Sequence, residues 1–222
     1  MNKILNIIGI ILLSLIALLI LLLIFSYNGS FVSFTNLHDQ EINLEINKHH
    51  FLGNHTFTAT KDKYNDIVKK LKFLDIFSYK HDDINLKTVI HRKNSDKAVQ
   101  LDDVVSVTTR FASDNLFTTS YEKVAILEET DDSFIMCMTS CTENIINGYY
   151  RIKVTFDSQN NSVTISYAKV QTLTPLILRM ALDGLFGNKS YKEANIGSVK
   201  NTINFLSGKD DFKIENVNYI YK

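Results

Sequence analysis

The sequence predicts an α+β fold: an antiparallel meander sheet packed on a long C-terminal helix, preceded by one N-terminal transmembrane helix. Three observations lead there. Between residues 84 and 170 a series of segments rich in Val, Ile, Thr, Tyr and Phe is joined by short polar turns. Stretches with apolar residues at helical spacing flank that series on both sides. Before them all, Ile4 to Phe25 carries no charge.

The N-terminal run is interrupted only by Asn6, Gly9 and Ser14. About 20 apolar residues, each rising ~1.5 Å, match the ~30 Å hydrocarbon core of a bilayer. A helix also satisfies its own backbone groups there. Residues 1–26 are therefore expected to be a transmembrane anchor, with the lipid bilayer as the partner of residues 4–25. A cleaved signal peptide is the competing reading. The apolar stretch outruns a signal h-region of ~7–15 residues, and its exit, Ile24-Phe25-Ser26-Tyr27-Asn28-Gly29-Ser30, offers no small-x-small cleavage site. Lys3 lies on one side of the run and the next lysine or arginine, Lys48, far on the other. The positive-inside rule then places the N-terminus in the cytoplasm and the domain in the periplasm or outside the cell, as a single-pass protein of the cell membrane.

Residues 27–41 read as a polar tether. Ile42, Leu44 and Ile46 alternate with polar residues as in a strand, and Phe51–Thr58 continues in strand chemistry. Thr60 is placed to cap a helix bearing Tyr64, Ile67, Val68, Leu71 and Leu74 on one face. Strands are expected over 84–91, 104–111, 117–128, 134–139, 149–156 and 162–170. The last two flank Asp157-Ser158-Gln159-Asn160-Asn161, which reads as a hairpin turn. Thr174-Pro175 suits a helix start, and Gly187-Asn188 a break. A second helical stretch spans about residues 190–206, with Ala194, Ile196, Val199, Ile203 and Leu206 along one side, and Gly208 suits its C-terminal cap. The tail, residues 208–222, alternates Phe212, Ile214, Val217, Tyr219 and Tyr221, the pattern of an edge strand.

Composition narrows the function classes. Basic and acidic residues balance at 24 each, which gives nucleic acid no electrostatic hold. One proline and eight glycines leave little room for long disordered linkers. No nucleophile elbow, phosphate loop or zinc-protease motif is present. His49, His50 and His55 invite a metal reading, but neighbours on a strand face opposite sides and no tetrahedral set completes itself nearby, so these are expected as surface histidines. His81-Asp82-Asp83 reads as a solvated loop. No metal and no cofactor is expected. Cys137 and Cys141 on one strand would lie ~13 Å apart, too far to bridge. Either two separate thiols or a local disulfide across a turn at Thr139-Ser140 is compatible with the sequence.

The order of elements, together with two segments, resembles the START-like (SRPBCC) superfamily in its membrane-anchored bacterial form. The first segment is Asn54-His55-Thr56-Phe57-Thr58-Ala59-Thr60-Lys61-Asp62-Lys63-Tyr64-Asn65-Asp66-Ile67. The second, Phe186-Gly187-Asn188-Lys189-Ser190-Tyr191-Lys192-Glu193-Ala194-Asn195-Ile196-Gly197-Ser198-Val199-Lys200, is similar to the family's C-terminal helix. The likeness covers residues 42–207. The chain departs from the family in having no tryptophan: Phe73-Leu74-Asp75-Ile76-Phe77-Ser78-Tyr79 stands where the family often has a Trp-rich turn. The resemblance implies a helix-grip fold, its sheet wrapped around the C-terminal helix. It also implies a lipid or other hydrophobic small molecule bound between them. On that reading Val199, Ile203 and Leu206 line the cavity, and Arg110, Tyr121, Tyr149, Arg151 and Tyr167 are the candidate ligand-binding residues. The alternative is a structural or interaction protein of the cell envelope with a filled core. An enzyme of the superfamily's cyclase or hydrolase type finds no motif here.

Overall fold

The computed structural model describes residues 2–25, 48–77, 88–92, 97–111, 119–142, 146–173 and 189–221. The expected tether, the strand at 42–47, the His81-Asp82-Asp83 loop and the Thr174-Pro175 helix start lie outside the described residues.

The first element, α1 (Asn2–Phe25), is a helix whose leucines and isoleucines between residues 7 and 21 are about half exposed or more. Among the described residues no helix is long and apolar enough to cross a membrane. This corrects the expected transmembrane anchor, and with it the single-pass, extracytoplasmic localisation. The expected fold class, a helix-grip domain led by a transmembrane helix, is corrected likewise. The chain forms a sheet-dominated α+β fold.

The strands follow in the order β1 (His49–Thr58), β2 (Thr88–Arg92), β3 (Val104–Phe111), β4 (Thr119–Glu129), β5 (Ser133–Thr142), β6 (Ile146–Asp157), β7 (Ser162–Leu173) and β8 (Asn218–Tyr221). Helix α2 (Lys61–Lys72) separates β1 from β2, and α3 (Lys189–Ser207) separates β7 from β8. The sheet runs β2-β3-β4-β5-β6-β7-β1-β8. Every neighbouring pair is antiparallel. β1 thus waits for the far end of the meander: its residues pair from His49↔Gln171 to Thr58↔Ser162. β8 adds to its other edge, from His49↔Tyr221 to Leu52↔Asn218.

Turn chemistry sets these registers. The Asp157 carboxylate accepts N–H bonds from Gln159 (2.9 Å) and Asn160 (3.1 Å) and one from the Asn160 side chain, while Asn161 takes φ 46°. Those bonds, the Asn160 side chain foremost, hold the Asp157 carboxyl below the usual carboxylate range. Thr60 occupies the cap position of α2, but its side chain makes no cap bond; its carbonyl accepts from Lys63 and Tyr64 instead. Tyr64, Ile67 and Leu71 are the buried face of α2.

Alternation along the strands sends one set of side chains toward the helices. Phe51, Val124, Ile126, Phe134, Met136, Ile152, Val154, Val163 and Ile165 meet Ile67 and Leu71 of α2 and Val199, Ile203 and Leu206 of α3. Contact is closest at Gly53. A Cβ there would stand 2.7 Å from Ile203 Cδ1, 2.8 Å from Val199 Cγ1 and 3.1 Å from Phe212 Cζ. The missing side chain is what lets α3 reach β1. Gly208, at φ 70°, ends α3 by donating its N–H to the Asn204 carbonyl at 2.8 Å.

α3 is buried on more than an apolar stripe: Asn195, Asn201, Thr202, Asn204 and Ser207 are buried as well. The Asn204 amide donates to Asp210 Oδ1 (2.8 Å) and to the Phe212 carbonyl (3.1 Å), and its own oxygen accepts the Phe212 N–H (3.1 Å). One side chain thereby folds the tail back and seats Phe212 beside Gly53.

Two outcomes follow. Gly53→Val should cost about 1–3 kcal/mol by overpacking and Ile203→Ala about 2–5 kcal/mol by leaving a cavity. Because the two side chains share one space, the double mutant should be more stable than the sum of the singles predicts, measured by urea denaturation; strict additivity would show that the contact is not tight. Asn204→Ala strands buried groups at Phe212 and should lower stability by about 1–3 kcal/mol. Its melting temperature should therefore fall below that of Lys200→Ala, and equal values would dismiss the clamp.

Candidate functional site

Along the helix-facing side of β7 the residues change character. Val163 and Ile165 belong to the apolar core, but Tyr167, Lys169 and Gln171 continue the same face toward the strand's end. All three are buried, Lys169 at 7% exposure and Gln171 at 3%. β6 places Tyr150 beside them. The Tyr150 and Tyr167 rings stack at 6.3 Å with 8° between their planes. Lys169 Nζ stands 5.0 Å over the Tyr150 ring, and Gln171 Nε2 donates to Tyr150 Oη at 3.4 Å. A glycine makes room again: a Cβ on Gly148, opposite Gln171, would collide with the Val170 carbonyl at 2.2 Å.

The neighbouring strands complete the wall. His49 Nδ1 lies 2.9 Å from Tyr219 Oη, and its ring sits 4.6 Å from that of Tyr221. Phe51 packs on Tyr219 at 5.1 Å. From α3, Lys192 Nζ stands 4.5 Å over the Tyr219 ring. The result is an aromatic cluster capped by two ammonium groups, where β1, β6, β7, β8 and the start of α3 meet. Such a wall can take an apolar or aromatic body by stacking and a polar or anionic end by charge and hydrogen bonding.

The expected site residues do not assemble as one group. Tyr167 lies in the cluster just described. Tyr149 and Arg151 alternate with Tyr150 and so belong to the other face of the sheet, where Tyr149 joins Ala125, Leu127, Ile135, Cys137 and Val170 in a second apolar cluster. Arg110 pairs with Val89 and Thr119, and Tyr121 with Thr108 and Cys141, while their side chains lie outside the described residues. Val199, Ile203 and Leu206 are wholly buried within the main core, further along α3 from Lys192 and Asn195. Lys169 and Gln171 are not among the expected site residues, and His49 and Tyr219 are expected only as a surface histidine and a tail-strand residue. The signal was the in-phase run Tyr167-Lys169-Gln171 after Val163 and Ile165, which reads equally as a strand leaving the core.

The histidines correct the expectation of a solvated set. His49 and His50 are buried, because β1 lies between β7 and β8 rather than at the sheet edge. His55 Nε2 stands 3.1 Å from Asp211 Oδ1. Among the described residues, no three His, Cys, Asp or Glu side chains are grouped to hold a metal ion. Cys137 is a free, buried thiol opposite Arg151, on the same continuous strand as Cys141, which resolves the two readings of this pair. Burial pushes the Cys137 thiol up to about 12, against an opposing pull from the Arg151 charge.

No family model and no curated protein matches the chain. Among solved structures it is similar to hypothetical protein jhp0584 from Helicobacter pylori, with a TM-score of 0.51 and 15% identity over 71% of this chain and 86% of that one. A conserved protein from Geobacillus kaustophilus gives a TM-score of 0.44 at 6% identity, over 78% of this chain and 99% of that one. At 15% identity the Helicobacter pylori likeness shows the fold alone.

The Cys137 thiol should react with a disulfide reagent at pH 8 only as fast as the protein opens, and at once in urea. Its raised pKa means the folded state holds the proton more tightly, so the thiol's contribution to stability is present below pH ~9 and lost as pH rises toward ~12. Rapid native labelling would refute the buried placement.

Proposed function

We propose that this chain is a binding domain for a hydrophobic small molecule, a lipid included, held between the sheet and the start of α3. The observation that carries this reading is the buried pair Lys169 and Gln171, set among Tyr150, Tyr167, His49 and Tyr219 on the face that is otherwise core. A core built only for stability gains more from apolar residues there, since burying an ammonium carries a desolvation cost of several kcal/mol. Pockets for small molecules, by contrast, combine aromatic walls with a few placed polar groups. We also propose kinship with the START-like superfamily, supported by the pairing of β1 with β7 across the meander and by α3 following it. The second reading, a structural or interaction protein without a ligand, draws on the full burial of Val199, Ile203 and Leu206.

The test is fluorescence titration of the full chain with dansyl-labelled undecanoic acid. Saturable binding is expected, weakened about tenfold or more, ~1.4 kcal/mol, in Tyr167→Ala and Lys169→Met. Because the exposed apolar side of α1 can take up the same probe, the comparison between variants is decisive. Binding unchanged in both variants, or none that saturates, would favour the filled-core reading.

A further inference from the structure

The face of the sheet turned away from the helices holds two buried polar atoms that no group among the described residues satisfies: Thr139 Oγ1 and Arg151 Nε. Thr139 is wholly buried. Native proteins leave few such atoms, and each costs about 1–3 kcal/mol unless a water or a ligand meets it. These two are neighbours. Arg151 sits opposite Cys137 and Thr139 opposite Tyr149, on the paired strands β5 and β6. That is a diagonal pair on one face, with Cα atoms ~7–8 Å apart, within reach of one small group between them.

That face carries three cations at and around the pair, and its nearest carboxylate across the strands is Glu128, which lies opposite Ile135 on β5 as Lys153 does from the other side. By alternation Lys123, opposite Thr139 on β4, and Lys153, next along β6, join Arg151 there. Asp157 is the first carboxylate on that side of β6, six residues beyond Arg151, or ~20 Å at ~3.3 Å per residue. Among the described residues Arg151 makes no ion pair. Its flanks are Cys137, Tyr149 and Ala168, a buried thiol, a buried ring and a methyl, so an approaching charge meets little competing water.

We propose that this is a second site, separate from the cluster on the helix-facing side, and that it takes a compact oxyanion: a phosphate or a carboxylate. The guanidinium supplies charge and a planar donor fork, the threonine hydroxyl a further donor, and Lys123 and Lys153 the surrounding positive field. The site does not rest on the small-molecule reading of the other face.

Two measurements on the full chain test it: equilibrium dialysis against labelled inorganic phosphate, and thermal melting in sodium phosphate or sodium succinate, with chloride holding ionic strength constant. Saturable phosphate uptake and a rise in melting temperature with concentration are expected. A larger response to succinate would assign the site to carboxylates. Thr139→Val keeps the side chain's shape, so it should fold and lose at least tenfold in anion affinity; Arg151→Gln should abolish uptake, and Arg151→Lys should keep part of it. All three variants should retain the wild-type affinity for the dansyl fatty acid. Flat responses to both anions, or responses kept in Thr139→Val and Arg151→Gln, would show that only water meets these atoms and would overturn the proposal.

Discussion

The structure depends on a contact at which one partner has no side chain. Gly53 lets Val199, Ile203 and Phe212 approach β1 within ordinary packing distance, and three separate parts of the chain meet there. β1 is held between β7 and β8, α3 lies over it, and the tail returns to it. Any side chain at position 53 would press on the ends of Ile203, Val199 and Phe212 and force them to shift. Interiors packed near crystal density do not absorb that without loss elsewhere.

Asn204 complements this contact with polar chemistry. Its amide joins Phe212's backbone to α3 and reaches Asp210, so the turn after Gly208 keeps one geometry. The same constraint delivers β8 to the edge of β1, and with it Tyr219 and Tyr221 to His49. Packing at Gly53 thus positions a cluster about four residues of strand away.

The sheet works on two sides. Toward the helices it is apolar over most of its area and becomes aromatic and cationic where β6, β7 and β8 meet the start of α3. Away from them it buries a small apolar cluster around Cys137 beside the donors of Arg151 and Thr139. A period of two divides the residues, apart from the register shift between Ile126 and Glu128 on β4: Tyr149 and Tyr150 are neighbours in the chain and serve different faces.

The sequence by itself determined the strands between residues 104 and 170, the amphipathic helix over 61–72, the hairpin at 157–161 and the glycine stop at 208, because each rests on periodicity or turn chemistry within a few residues. It also brought Tyr167 into view as a candidate. Only the tertiary structure decided that His49 and His50 are buried, since a strand's burial depends on what pairs at its two edges. Only it separated Tyr149 and Arg151 from Tyr167, joined Lys169 to Tyr150 and His49 to Tyr219, and turned Asn204 inward. Those facts rest on pairs up to 170 residues apart, and the local pattern of a chain holds no record of which distant face will cover it.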